Sequence, residues 1–165
     1  MNKISIDNYN FLDNYNFLGN DFQKEFHNGD EKHLKVLYKN KQDRFTERIV
    51  FYITETKLED LDYSFNEIVK KNIEMLEETL IDKSVKMAFL EDLNSYIVSF
   101  LSLDKKNNKM YLSIQKWFLT ADDNFISYIE YNKIFDVNEY QSTDLIDFND
   151  NIENIVKELF SINYI

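Results

Sequence analysis

Seven stretches of the chain alternate apolar and polar residues and are rich in β-branched and aromatic side chains, which predicts seven β-strands. They are Phe22–His27, His33–Tyr38, Phe45–Thr54, Val85–Leu90, Tyr96–Leu103, Met110–Leu119 and Phe125–Phe135. Side chains alternate between the two faces of a strand. The sixth strand therefore carries on one face Met110, Leu112, Ile114 and Phe118, and on the other face Tyr111, Ser113, Gln115 and Trp117.

Two other stretches repeat their apolar residues at helical spacing. The first contains Phe65, Ile68, Val69, Ile73, Leu76 and Leu80, and Ser64 with Glu67 forms a capping-box pattern at its start. The second contains Ile152, Ile155, Val156, Leu159 and Phe160, after the capping residues Asn149 and Asp150. The order β-β-β-α-β-β-β-β-α predicts an α+β fold, in which two main helices pack on an antiparallel sheet of six to seven strands.

A direct repeat of six residues lies near the start of the chain, at 7–12 and again at 13–18. Two copies of six residues are too short to stack as a solenoid. A calcium loop of the EF-hand type requires glycine at its sixth position, where the second copy has Leu18. We interpret residues 1–20 as an arm or short helix and residues 21–165 as a single α+β domain.

The first hairpin is predicted to turn at Asn28 and Gly29, because Asn-Gly is a strong signature of a two-residue β-turn. Such a turn brings His27 and His33 opposite each other, with Asp30 and Glu31 nearby. A weak metal site is one interpretation of these residues. Two histidines on a turn are a small ligand set, so we favour polar residues that bound a loop.

The composition excludes several kinds of catalytic site. Two glycines among 165 residues cannot form a Walker phosphate loop or a three-glycine dinucleotide motif. Without cysteine the chain has no thiol nucleophile, disulfide or cysteine-bound metal. The 30 acidic residues include no pair at a spacing diagnostic of glycosidase or nuclease chemistry. We expect no catalytic residues, no metal and no cofactor; an enzyme that uses paired carboxylates stays a third alternative.

The formal net charge is -11, and most of it lies near the end of the chain. Residues 121–165 contain ten acidic and two basic residues, a net charge of -8. This charge argues against nucleic acid and anionic membranes as partners, since both bind lysine and arginine. It favours a basic protein partner, because complementary charge speeds encounter. A solvated surface without a partner is the alternative interpretation.

Aromatic residues in adjacent predicted strands, including Tyr131, either fill the core or form an exposed patch beside the acidic residues. Tyrosine and tryptophan bordered by charge are typical of protein-binding hot spots. The predicted partner-binding residues are Tyr111, Trp117, Asp122, Asp123, Tyr128, Glu130 and Asp136. No apolar segment suits a secretory signal or a membrane span, so we expect a cytoplasmic protein. The sequence leaves open whether the protein forms a homodimer.

From residue 45 onward the chain resembles the DcrB-like or PsbP-like α/β sandwich family, whose bacterial branch includes Eag-type chaperones of type VI secretion effectors. The resemblance comprises an extended strand at 48–54, the Ser64-capped helix, a turn at 91–95, and a strand with Gln115 and Trp117. Asn94 stands where the family commonly has glycine, and Tyr96 where a small residue is usual. The resemblance implies a non-enzymatic scaffold that binds proteins or small ligands through one sheet face.

These features predict a non-catalytic protein-binding module. The leading hypothesis is an acidic immunity or antitoxin protein that binds and blocks a basic toxin. The alternative is an Eag-like chaperone that holds apolar segments of a secreted effector.

Overall fold

The computed structural model describes residues 13–29, 33–76, 85–91, 94–119 and 125–161. In these ranges eight strands form one antiparallel sheet: β1 (Asn14–Phe17), β2 (Asn20–Gly29), β3 (His33–Lys41), β4 (Phe45–Lys57), β5 (Lys86–Leu90), β6 (Ser95–Asp104), β7 (Lys109–Leu119) and β8 (Phe125–Asp136). The helices are α1 (Phe65–Glu74), α2 (Ser142–Asp150) and α3 (Ile152–Ser161), and a 3-10 turn covers Leu58–Asp60. The predicted α+β class is confirmed, with one strand and one helix more than predicted.

The sheet consists of two meanders that meet at its centre. Its strand order is β1-β2-β3-β4-β8-β7-β6-β5, so β1 to β4 and β5 to β8 each pair in chain order. The central pair joins β4 to β8, and it places Arg48 opposite Asn132. On the other side of β8, Gln115 of β7 lies opposite Glu130. Residues that are distant in sequence thus become neighbours across the middle of the sheet.

Helices α2 and α3 cover one face of the sheet. Phe148, Ile155 and Leu159 of these helices are buried in a cluster with strand residues from both meanders. The strand members are Phe17, Phe22, Val36, Tyr38, Ile49, Phe51, Ile53, Leu112, Ile114, Ile129, Tyr131 and Phe135. Met110 and Phe118 pack against this cluster, as the alternation in β7 predicts. Removal of these apolar side chains from water is the main stabilising term of the fold.

Helix α1 packs on the opposite face, over strands of the second meander. The Ser64 side chain accepts a hydrogen bond from the Glu67 backbone N–H at 3.2 Å, so the predicted N-cap is confirmed. Phe65 and Val69 of α1 are buried in a second cluster. Its strand members are Tyr96, Val98, Phe100, Trp117 and Ile126. We call this face of the sheet the α1 side.

Three local predictions were wrong. The second copy of the repeat forms strand β1, with Phe17 fully buried, where we expected an arm or a short helix. The segment before the last helix contains α2, whose start is capped by a reciprocal pair of hydrogen bonds between Gln141 and Asp144. The first copy of the repeat lies outside the described residues.

The third correction concerns the first hairpin. Asn28 and Gly29 do not form its turn, because they continue β2 and pair with Lys35 and Leu34. His27 accordingly lies opposite Val36, and the predicted juxtaposition with His33 does not occur. The predicted two-residue turn is wrong because the ladder includes both Asn28 and Gly29. Asp30 and Glu31 lie outside the described residues.

Candidate functional site

The structure brings five of the predicted partner-binding residues to one side of the sheet. On the α1 side they lie on β7 and β8: Tyr111, Trp117, Tyr128, Glu130 and Asp136. Asp122 and Asp123 lie outside the described residues. Tyr131 points to the other face, where its ring stacks with that of Phe148 at a centroid distance of 6.4 Å. The aromatic residues are therefore divided between the two faces.

A row of aromatic rings crosses the sheet on the α1 side. The ring of Tyr128 stacks with that of Tyr52 at a centroid distance of 4.9 Å and contacts that of Trp117 at 4.7 Å. Trp117 is only 4% exposed and belongs to the core under α1. Tyr128 is half-buried, and burial followed by the nearby Glu130 charge raises the pKa of its hydroxyl. Tyr128 is therefore neutral at physiological pH, and Trp117 has little surface to offer a partner.

Two adjoining cavities lie beyond this row, and together we call them the trough. The inner cavity, of about 340 Å³, is lined by Arg48, Asn72, Leu76, Phe100, Ser102, Asp104, Tyr111, Ser113, Gln115, Tyr128 and Glu130. The outer cavity, of about 770 Å³, extends over β2 and β3 and includes Asp21, Gln23, Glu25, Lys39, Arg44, Lys109 and Asp136. Arg48 and Tyr111 line both cavities.

A hydrogen-bonded network forms the floor between the two cavities. The Arg48 Nε donates to Asn132 Oδ1 at 2.9 Å. The Asn132 amide nitrogen donates to Ser113 Oγ at 2.6 Å and to Glu130 Oε1 at 3.1 Å. Asn132 is fully buried, so its two amide hydrogens and its oxygen are committed to this network. The network fixes the positions of Arg48 and Glu130 before any ligand binds.

Arg48 also packs on an aromatic ring. Its guanidinium carbon lies 5.4 Å from the centroid of the Tyr111 ring, within the range of a cation–π interaction. At the far edge of the trough, Lys109 forms an ion pair with Asp136. The predicted residues Tyr111 and Asp136 thus contact Arg48 and Lys109, respectively. Neither basic residue was predicted to belong to the site.

Most of the described acidic residues in the last quarter of the chain lie away from the aromatic row. Glu130 and Asp136 lie at the trough, whereas α2, α3 and the turn before them carry Glu139, Asp144, Asp147, Asp150, Glu153 and Glu158. Lys157 is the one basic residue between 137 and 161. The acidic helix layer and the aromatic trough therefore occupy opposite sides of the sheet.

The trough can bind through hydrogen bonds and ring contacts. Its side chains offer a guanidinium, amides, hydroxyls and carboxylates on a floor that main-chain pairing holds in place. Within the described ranges, no three His, Cys, Asp or Glu side chains are grouped closely enough to hold a metal ion. None of the helices in those ranges is both long and apolar enough to span a membrane.

Reasoning from sequence missed Arg48, Ser113 and Asn132 as site residues. Arg48 and Asn132 are 84 positions apart, and only the pairing of β4 with β8 brings them together. A local pattern did mark them, because each is a polar residue at an interior position of a predicted strand, with an apolar residue on at least one side. Polar residues at interior positions of predicted strands were thus the sequence feature that could have identified these site residues.

No protein-family model, no curated protein and no solved structure matches this chain. The resemblance to the DcrB-like or PsbP-like family therefore stays a prediction.

Proposed function

We propose that this protein is a non-catalytic protein-binding module of the immunity or antitoxin kind, which binds a basic toxin and blocks it. The trough carries the proposal: a rigid floor of buried polar groups, open to a partner and bordered by half-buried tyrosines. Interfaces of this kind gain affinity from aromatic and arginine side chains that are ordered before binding. The cytoplasmic location predicted from the sequence belongs to the same proposal.

The two sides of the sheet have separate roles in this proposal. The acidic helix layer supplies a long-range field that attracts a basic partner, while the trough supplies the contacts. Exposed charges mainly change association rates, whereas buried contacts mainly change dissociation rates. Both faces thus contribute to one binding event, although only the trough touches the partner.

The test uses the protein encoded beside this chain's gene as the candidate partner. Association and dissociation rates are measured by surface plasmon resonance at about 50 and 300 mM salt. Tyr111→Ala is expected to raise the dissociation rate at least tenfold and leave the association rate nearly unchanged. The double variant Asp147→Asn with Asp150→Asn is expected to slow association several-fold at low salt only.

Tyr63→Ala is the matched control, because Tyr63 is an exposed tyrosine that lies before α1 and outside the trough. Its rates are expected to equal those of the wild type. If Tyr111→Ala and Tyr63→Ala behave alike, the trough is not the binding surface. If the complex forms at the same rate at both salt concentrations, the steering role of the acidic layer is wrong.

The second candidate function is an Eag-like chaperone. The exposed side chains of Met75 and Phe89, at the end of α1 and on the edge strand β5, favour this alternative. Capture of apolar helices there would be insensitive to salt and to Tyr111→Ala, but weakened by Phe89→Ser. The same rate measurements therefore separate the two functions.

A further inference from the structure

We propose that the inner cavity of the trough binds a small organic carboxylate, held by the guanidinium of Arg48, the side-chain amide of Gln115 and the hydroxyl of Tyr128. This inference concerns a free small molecule and does not depend on the existence of a protein partner. All three groups line the same cavity on neighbouring central strands.

Arg48 is oriented but not neutralised. Its Nε is used by Asn132 and its plane is held over Tyr111, while its two terminal nitrogens make no hydrogen bond or ion pair with the described residues. A guanidinium presents paired donors in a geometry that matches a carboxylate. Because Asn132 fixes the side chain, little conformational freedom is lost when a ligand binds.

Gln115 supplies a second hydrogen-bond donor in the lining of the cavity. It is only 3% exposed, and its Oε1 accepts a hydrogen bond from the Trp117 indole at 2.8 Å. The indole nitrogen is only a donor, so this bond fixes which end of the amide is oxygen. The remaining nitrogen, Nε2, has no hydrogen-bond partner among the described residues. Gln115 lines the cavity, so a carboxylate bound there would accept a hydrogen bond from this nitrogen.

The rest of the lining selects the ligand's size and charge. Leu76, Phe100 and the ring of Tyr111 provide apolar walls, and about 340 Å³ suits a compact molecule. Asp104 and Glu130 also line the cavity, so it contains two negative charges beside the one positive charge of Arg48. Arg48 can pair with one carboxylate, whereas a second negative charge on the ligand would have no cationic partner in the cavity. The cavity therefore favours a monocarboxylate with an apolar body over a phosphate dianion.

The test is a titration of the ¹⁵N-labelled full chain, followed by NMR, with benzoate, benzamide and inorganic phosphate as probes. Benzoate is expected to produce saturable shifts at the side-chain amide of Gln115 and at the Nε of Arg48. Benzamide keeps the ring and removes the charge, whereas phosphate removes the ring and, as a dianion, adds a second negative charge. Both are expected to bind at least tenfold more weakly.

Three variants assign the contacts. Arg48→Gln is expected to weaken benzoate binding at least tenfold, and Gln115→Glu to abolish it while preserving the acceptor for Trp117. Glu130→Gln is expected to strengthen binding, since it removes a repelling charge and keeps an acceptor for Asn132. Lys157→Gln on α3 removes one positive charge from the opposite side of the sheet and is expected to leave the affinity unchanged.

Thermal unfolding and the backbone spectrum establish that each variant is folded. The proposal is overturned if benzoate produces no saturable shifts in the wild type. It is also overturned if benzamide or phosphate binds as tightly as benzoate. A cationic ligand site would invert the two charge effects, with benzylamine binding strengthened by Arg48→Gln and weakened by Glu130→Gln.

Discussion

The ammonium group of Lys116 lies 3.3 Å from the main-chain carbonyl oxygen of Leu159, in the last turn of α3. Lys116 is only 8% exposed, and the rings of Phe118 and Phe160 lie 4.9 and 4.6 Å from its nitrogen. Carbonyls at a helix C-terminus lack partners within the helix, so the lysine caps α3 from the sheet. Burial lowers the pKa of Lys116 to about 8.

This shift predicts that stability rises with pH above about 8. The unfolded lysine keeps its proton up to about pH 10.5, whereas the folded lysine has already lost it, so unfolding takes up a proton. The slope is at most about 1.4 kcal/mol per pH unit. Lys116→Met should remove the slope and stabilise the protein at pH 7 by about 1 kcal/mol or more. Urea unfolding between pH 7 and 9.5 measures both the stability and its slope with pH. An unchanged slope in Lys116→Met would show that Lys116 is not the group responsible.

A buried carboxylate on β4 gives the opposite pH dependence. Glu47 is 4% exposed and accepts a hydrogen bond from the Tyr131 hydroxyl at 2.8 Å. Burial raises the pKa of Glu47, although the Tyr131 hydrogen bond and the Lys133 charge oppose the shift. The folded state therefore holds the proton more tightly than the unfolded state. The contribution of Glu47 to stability declines as pH rises from its unfolded pKa of about 4.5 through the folded value.

Two variants separate the contribution of the Glu47 carboxylate to stability from that of the Tyr131 hydroxyl. Glu47→Gln should raise stability at pH 7 and reduce the decline between pH 4 and 7. Tyr131→Phe should cost about 1–3 kcal/mol at pH 7, because it leaves a buried charge with one donor fewer, and less at pH 4. In the Glu47→Gln background the same substitution should cost about 1 kcal/mol. Equal costs of Tyr131→Phe in both backgrounds, measured by chemical denaturation, would argue against a buried charge.

Helix α2 depends on one arginine from the loop before β4. Arg44 donates from both terminal nitrogens to the Asp144 carboxylate, each at 3.1 Å, and from one of them to the Glu139 carbonyl at 2.9 Å. Asp144 also accepts from the Gln141 backbone N–H at 2.8 Å. Burial raises the pKa of Asp144, but these hydrogen bonds outweigh it and hold the pKa below its ordinary value.

Asp144→Ala should cost about 1–2 kcal/mol, since it removes both the helix cap and the partner of a half-exposed arginine. Amide exchange in 142–150 should accelerate more than exchange in 152–161. The contribution of Asp144 is present above its unfolded pKa of about 3.8 and is lost as pH falls through the lower folded value. Asp147→Ala, three residues later and exposed, is the control and should change stability by less than about 0.5 kcal/mol.

Asn94 has a φ of 44° in the turn before β6, in the left-handed region. The sequence predicted that asparagine can take this conformation where a glycine is expected. Asn94→Val should cost about 1–2 kcal/mol, because a β-branched side chain is strained there. Asn94→Gly should stay within about 0.5 kcal/mol of the wild type. Equal stabilities of the valine and glycine variants in thermal unfolding would contradict the assigned conformation.

Prediction from sequence succeeded where one element determines its own pattern. The alternation in β7 assigned Leu112 and Tyr111 to opposite faces correctly. Each face of a strand has its own degree of burial, and the residue types along the strand follow it. Ser64 and the apolar spacing after it located α1 for the same local reason. The weaker pattern of α2 was missed, since its cap begins at Gln141, which is not a preferred N-cap residue.

The candidate site required pairings that no local pattern contains. Trp117 was predicted to contact a partner, yet α1 buries it, and coverage by a helix from elsewhere in the chain is a tertiary effect. Arg48 and Asn132 form the floor of the site only because β4 and β8 are neighbours. The alternation along each strand places a residue on a face, but only strand order decides which residues share that face.

The junction of β4 with β8 also has a consequence for how the chain assembles. Each meander grows from hairpins between consecutive strands, whereas Arg48 and Asn132 meet across 84 positions. Pairing over such a separation is slow, because the loop must close before its contacts form. We therefore expect the two half-sheets to collapse first and their docking to limit the folding rate. The inner cavity exists only in the docked sheet. A ligand bound there would therefore slow the separation of the two half-sheets and lower the unfolding rate.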